Sequence, residues 1–216
     1  MRVDLHCHTC YSPDALTRLD GLLRWMDRRD IDRVAVTDHN TAAGALAFQV
    51  RAPDRVIVGE EILTQDGELL ALFLHETVPP GLTPKESIAR VRAQGGLVGA
   101  SHPLDRARTD AIGAQVLEAL APQLDFVEVL NARAVRRDDN LAALQAARRL
   151  GLPGSAGSDA HSALEVGRAY VEMPAFDGPA SFLTALAAGQ VGGRESSPLI
   201  HILSIYARLV KSLGVR

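Results

Sequence analysis

Cysteine and lysine are scarce in this 216-residue chain, which has only Cys7 and Cys10 for the first and Lys85 and Lys211 for the second. Long apolar runs are missing. None approaches the roughly 20 residues that a membrane-crossing helix needs, and no apolar segment precedes the strand-like stretch starting at Arg2. Neither a membrane span nor a signal peptide is therefore expected. Two cysteines without an export signal make the cytoplasm the expected compartment. The Cys7-x-x-Cys10 spacing is not read as a redox motif, because in a strand Cys7 faces away from His6 and His8 and no helical pattern follows directly. Net charge is −3, from 26 acidic and 23 basic residues. That balance argues against a broad nucleic-acid footprint, so a long nucleic acid is not an expected partner. Nearly all the basic residues are arginine, whose planar fork suits phosphate oxygens, although skewed coding composition produces the same bias. Ser/Gly linkers, low-complexity segments and fixed-period repeats are absent too, and one domain is expected over residues 1–216.

What is present is alternation. Hydrophobic residues make up 47% of the chain, enough for a full core. After the N-terminal strand, Leu19, Leu22, Leu23 and Met26 recur at helical spacing, with Trp25 as a packing residue of the same helix. Residues 34–37, 56–62, 68–74, 97–100, 126–130 and 154–157 read as six more strands, separated by helices over 41–52, 83–94, 110–121 and 140–150. Thr83-Pro84-Lys85-Glu86 is a helix start with a capping box, and Gly151 closes the 140–150 helix. Asp66-Gly67 between two apolar runs predicts an antiparallel hairpin. A further strand over 169–173 and helices over 180–188 and 200–213 complete the chain, the part beyond about 175 being read as helical. Such alternation predicts parallel βα units, and a closed barrel of them gathers side chains from strand ends on one rim.

Those strand ends carry the chemistry. His6 and His8 are two apart in a strand, so both imidazoles project to one face. Thr37-Asp38-His39-Asn40, Ser101-His102-Pro103 and Ser158-Asp159-Ala160-His161 follow later strands. His201, in the last helix, is instead read as a surface or packing residue. The candidate ligands are His6, His8, Asp14, His39, Glu61, Glu68, His102, Asp159 and His161. Nitrogen and carboxylate donors without thiolates suit Zn²⁺, Mn²⁺ or Fe²⁺. Nine donors exceed the needs of one ion, so two or three divalent ions sharing carboxylates are expected. Asp4 and Asp38 are expected to orient histidines, and Arg106, Arg108 and Arg133, just beyond strand ends, are candidates for binding phosphate.

Taken in order, Asp4-Leu5-His6-Cys7-His8-Thr9, Thr37-Asp38-His39-Asn40, Gly59-Glu60-Glu61-Ile62, Ser101-His102-Pro103 and Gly157-Ser158-Asp159-Ala160-His161 resemble the PHP family, named for polymerase and histidinol phosphatase. The closest likeness is to its short stand-alone metal-dependent phosphoesterases, and it spans residues 4–161. The resemblance implies an α/β fold, a distorted seven-stranded (β/α) barrel with a trinuclear metal site at the carboxyl-terminal rim. His6, His8, Glu61 and Asp159 would hold the first metal. Glu61 would bridge to a second that also takes His102, and Asp14, His39 and His161 would hold the third. Where many members open the fourth strand with histidine this chain has Glu68, which resembles one branch of the family. His75, at the strand's other end and roughly 20 Å away along extended chain, is the disfavoured alternative. The activity implied is hydrolysis of a phosphate ester of a small phosphorylated molecule, a phosphomonoester or nucleotide. A hydroxide held between metals would attack phosphorus, with Glu61 and Asp159 shaping the centre and Arg133 neutralising charge. Nucleotide-end trimming and a non-catalytic metal-binding module are the alternatives.

Overall fold

The computed structural model describes residues 1–213, the side chains of Pro198 and His201 excepted, so the expectation for the His201 side chain lies outside the described residues. β1 (Arg2–Cys7), β2 (Arg33–Val36) and β3 (Val56–Thr64) run parallel, linked by α1 (Leu19–Arg28) and α2 (Ala43–Arg51). The apolar spacing of α1 buries Leu19, Leu22 and Met26, and Trp25 packs at the edge of the same cluster. β4 (Gly67–Leu72) then reverses direction: Thr64 pairs with Gly67, closing the hairpin that Asp66-Gly67 predicts. Gly67 has φ +115°, a backbone conformation that suits glycine alone. α3 (Pro84–Ala93) follows, with Thr83 and Glu86 making both bonds of the capping box.

β5 (Leu97–Ala100) is antiparallel to β4, with Leu69 opposite Ala100. The start of β4 therefore lies beside the carboxyl-terminal end of β5, and its end lies at the opposite rim. α4 (Gly113–Leu120), β6 (Phe126–Asn131), α5 (Arg137–Leu150) and β7 (Gly154–Gly157) restore the parallel alternation. β8 (Ala169–Glu172), α6 (Pro179–Ala187), β9 (Gln190–Gly193) and α7 (His201–Ser212) complete the chain.

The sheet order is β7-β6-β5-β4-β3-β2-β1-β8-β9. β8 takes the edge of β1 at its start. Beyond that, the chain leaving β7 returns to the end of β1: Asp159 N donates to His6 O at 2.7 Å and His8 N to Ala160 O at 2.9 Å. The result is a nearly closed barrel. A Cβ on Gly157 would fall 2.2 Å from His6 Cβ, so the bare backbone of glycine is what lets the two strands meet.

Among the described residues nine strands form, one more than the seven of the barrel and the further strand over 169–173 read from the sequence. β9 lies in the stretch read as helical, because Gln-Val-Gly-Gly carries no apolar alternation and is selected by antiparallel pairing with β8. α4 starts at Gly113 rather than at 110, since Asp110 O accepts from Glu68 N and Gly113 N donates to Pro103 O, tying the intervening residues into a loop. α5 starts earlier than expected, at Arg137.

Two apolar clusters divide the interior. One joins α1–α5 to the outer face of the sheet through Leu22, Met26, Phe48, Ile88, Val91 and Leu117. The other is built from Val3, Leu5, Ile57, Leu70, Leu72, Phe126 and Val171 of the strands and Phe182 of α6. Polar side chains are left the rim at which the parallel strands end.

Candidate metal centre

Entry into the site begins with an irregularity in β1. Asp4 pairs with Val34 and Cys7 with Val36, so β1 has one residue more than its partner over that interval. Such a bulge breaks strict alternation. Val3 and Leu5 join the inner apolar cluster, while both His6 and His8 turn into the site, their Nε2 atoms 3.1 Å apart. Asp4 does not share the His6 imidazole's surroundings as expected. Its carboxylate accepts from Ser158 N and Gly167 N, each at 2.8 Å, and from Ser158 Oγ, fastening the loop after β7. Burial pushes Asp4 up to about 6 against those bonds.

All nine sequence-read candidates meet at this rim. Glu61 is central: Oε1 lies 3.3 Å from His6 Nε2 and 3.0 Å from His102 Nε2, and Oε2 lies 3.3 Å from His8 Nε2 and 3.0 Å from His39 Nδ1. Asp159 Oδ1 is 3.1 Å from His8 Nε2. Asp14 faces His161 Nε2 at 3.4 Å and His39 Nε2 at 3.7 Å. Glu68 reaches both His39 and His102 at 3.5 Å. It does so because β4 is inverted, which puts the start of that strand on the carboxyl-terminal rim. His75 lies at the other end, against Gln94 and beside Phe73 and Arg33. Backbone strain marks the same loops, with φ +25° at His102 and +50° at Asp159.

Hydrogen bonds behind the imidazoles fix their tautomers. His6 Nδ1 donates to Glu128 Oε1 at 3.0 Å, and His161 Nδ1 to the Asp159 carbonyl at 2.8 Å. Ser12 Oγ donates to Asp38 Oδ1 at 2.6 Å and thereby accepts from His8 Nδ1 at 3.2 Å. Asp38 thus orients a histidine, as expected, but acts on His8 through Ser12 rather than on its neighbour His39. In all three rings the bond at Nδ1 turns Nε2 toward the cluster, where a metal displacing any proton would take its lone pair, the arrangement a metal-binding imidazole requires. Glu128 was not read from the sequence, and its one signal was a carboxylate inside the apolar run of β6. Asp110, read as the first residue of a helix, also falls with Glu68 and His102 in a group of potential ligand atoms.

The electrostatics are those of a crowded buried site. Burial pulls His6 and His39 down, yet the Glu61 carboxylate, with Glu128 and Asp159 or Glu68, holds both well above their ordinary values. His8 is held well below by burial and by the His161 and His39 charges. Glu61 stays well below the usual carboxylate range despite burial, through His6 and His39, whereas burial and the Glu61 charge raise Glu68. Asp14 Oδ1, Glu61 Oε2, Glu68 Oε2, Asp159 Oδ1 and His102 Nδ1 are buried without a hydrogen bond of good geometry. Each such atom costs about 1–3 kcal/mol. Cations shared among the carboxylates would relieve the four oxygens, and imidazole Nε2 atoms face the same space, so the donor set fits divalent metal; His102 Nδ1 lies on the far side of a ring whose Nε2 faces the cluster.

Above the cluster lies a cavity of about 510 Å³, lined in part by Arg108, Arg133 and Arg208. Arg108 packs its guanidinium on Asp159 Oδ2. Burial opposes its charge, but the carboxylates of Asp159, Glu61 and Glu68 push its pKa up. Arg133 is buried, donating to Glu165 Oε1 and Ser204 Oγ at 2.6 Å each. Arg106 instead pairs with Asp139 on α5. Arg208, which had no sequence signal, reaches Asp14 Oδ2 from α7 at 3.0 Å.

Comparison with known proteins names the architecture. The PHP domain family matches residues 4–86, which include His6, His8, Asp14, His39, Glu61 and Glu68, and the PHP-associated family matches residues 137–191, which include Asp159 and His161. The chain belongs to the PHP family. Two uncharacterized proteins of Methanocaldococcus jannaschii are similar to this PHP chain. MJ1587 is 37% identical over 145 residues, covering 61% of the chain and 82% of that protein. MJ0417 is 36% identical over 176 residues, covering 80% of the chain and 70% of that protein. A solved two-domain protein of Bacteroides vulgatus, described as containing a predicted PHP-like metal-dependent phosphoesterase, superposes with a TM-score of 0.73 at 18% identity, over 96% of this chain and 69% of that one. The shared fold is the PHP-type barrel. Among the described residues no helix is long and apolar enough to cross a membrane.

Proposed function

We propose that this PHP-family chain is a metal-dependent hydrolase, a phosphoesterase that acts on a small phosphorylated molecule. One observation carries the reading: a floor of imidazoles and unsatisfied carboxylates lies under a cavity walled by three arginines. Carboxylates alone repel phosphate. Neutralised by cations they attract it, and arginine forks on the walls suit its remaining oxygens. A volume near 510 Å³ matches a small-molecule site rather than a groove for a long strand.

His6, His8, Glu61 and Asp159 would hold one ion, Glu61, Glu68 and His102 a second, and Asp14, His39 and His161 a third, Mn²⁺, Zn²⁺ or Fe²⁺ being suited to such donors. When bound, the ions would supply Lewis-acid polarisation of phosphoryl oxygens and a water acidic enough to ionise near neutral pH. Glu61 has an oxygen toward His6 and His102 and another toward His8 and His39, the posture of a shared ligand. Glu128, the Ser12–Asp38 pair and the Asp159 carbonyl keep the imidazoles aimed. Arg108 keeps its charge beside Asp159 and orients the substrate phosphate. Arg133, held rigid by Glu165 and Ser204, supplies fixed positive charge on the wall.

The test is turnover of a panel of phosphate monoesters, diesters and nucleoside bisphosphates by manganese-loaded protein. Hydrolysis of one class is expected, with loss on Glu61→Gln. Full metal content without turnover of any ester would leave a metal-binding module. Oligonucleotide ends cleaved in preference to every small ester would replace the proposal with end trimming.

A further inference from the structure

α7 is amphipathic with its faces inverted. A surface helix ordinarily turns its apolar stripe to the core and its charges to water. Here the inner face carries Ser204, bonded to Arg133, and Lys211, which donates to Cys10 O at 2.7 Å and also to Ser12 O, while Arg208, 68% exposed at the flank of the helix, reaches in to Asp14. The outer face carries Ile202, Ile205, Tyr206, Leu209 and Leu213, each between 57% and 71% exposed. Their spacing of three, one, three and four residues is one continuous helical stripe. Leu199 extends it at one end, and Val135, also exposed, lines the same cavity mouth as Ile205.

We infer that this stripe is the contact between two copies of the chain, α7 packing on α7 about a two-fold axis. Six large apolar side chains more than half exposed present roughly 600 Å² per copy, at the upper end of what a monomer leaves bare. A pair would bury about 1,200 Å², the lower end of stable interfaces. Charge selects the occupant. Residues 199–213 contain no acidic residue; Lys211 is engaged on the inner side, and Arg208, though largely exposed at the flank, is paired with Asp14. The apolar stripe itself thus has no charge to complement a charged partner, and none to repel its own image, as a self-facing surface demands. A membrane-surface helix would set cationic residues beside its apolar face toward headgroups, whereas here they are tied to a carboxylate and to carbonyls of the barrel. Pairing also clamps α7 over the cavity, since turning its apolar face inward would undo the contacts to Asp14 and Arg133.

Sedimentation velocity of the full chain at about 1–50 µM tests this. The expected species has twice the chain mass of 23.1 kDa, and the double variant Ile205→Glu/Leu209→Glu should sediment as a monomer with unchanged circular dichroism. The milder Ile205→Ser/Leu209→Ser should weaken association at least tenfold, which guards against misfolding of the charged variant. Hydrogen exchange of wild-type α7 amides should slow as concentration rises through the association midpoint. A wild-type monomer across this range, a dimer indifferent to both double variants, or a monomer that floats with anionic phosphatidylserine vesicles would overturn the inference.

Discussion

Glu128 Oε1 lies 3.0 Å from His6 Nδ1, with both side chains buried, and Glu128 Oε2 accepts from the His102 amide at 2.8 Å. One carboxylate on β6 thereby fixes an imidazole of β1 and the backbone after β5. Glu128→Gln keeps the shape but weakens both bonds, so metal affinity should fall by about 10–100-fold while the fold is retained. Titration of apo protein with Zn²⁺ against a competing chelator measures it, and an unchanged affinity would refute the orienting role.

The same rim contains Glu68 and excludes His75. Glu68→Gln should lower metal content and turnover sharply, whereas His75→Ala should leave both nearly intact. The opposite pattern would mean that the inversion of β4 does not decide which end of it serves the site.

Elemental analysis of gently purified protein should give two or three ions per chain. The donors exceed one coordination sphere, and the orphaned oxygens are spread over Asp14, Glu61, Glu68 and Asp159. A reproducible ratio of one or less, not raised by added Mn²⁺ or Zn²⁺, would remove the multinuclear proposal.

Glu60 faces away from the site and is buried; Val78 N donates to its Oε2 at 2.9 Å, and Oε1 has no partner. Burial pushes its pKa from 4.5 up to about 8. Between those values the folded chain keeps a proton that the unfolded chain has released, so this carboxyl lowers stability as pH rises through that window. Glu60→Gln should flatten the trend and stabilise the protein by roughly 2 kcal/mol at pH 9, with little effect below pH 5. Urea midpoints across the range give the answer. A gain that is the same at every pH would point to packing rather than charge.

Cys7 is held far from reactivity: burial raises its thiol pKa well above the ordinary value, and Asp4 and Asp38 add to the rise. Cys10 is raised by burial too. Neither offers a ready thiolate nucleophile. Cys7→Ser and Cys10→Ser should keep turnover, and a substrate made chiral at phosphorus with oxygen isotopes should give phosphate of inverted configuration, as a single direct displacement by water requires. Retained configuration at phosphorus or a trapped phosphocysteine would demand covalent catalysis.

Local rules carried much of the site. Placing His6, His8, His39, His102, Asp159 and His161 at strand ends needs only the alternation of apolar runs, and Asp66-Gly67 sufficed to reverse β4 and bring Glu68 to the rim. Tertiary structure decided the rest, because it depends on partners far along the chain. The extra residue of β1 against β2 turned Asp4 away from the imidazoles and onto Ser158 and Gly167. Closure from β7 to β1 placed Glu128 behind His6, 122 residues away. Docking of α7 delivered Arg208 to Asp14 across 194 residues. β9 forms because β8 offers it an edge, a preference its glycines do not encode. Spacing along a strand fixes which way a side chain points; which neighbours it meets is fixed only when distant segments share one buried volume.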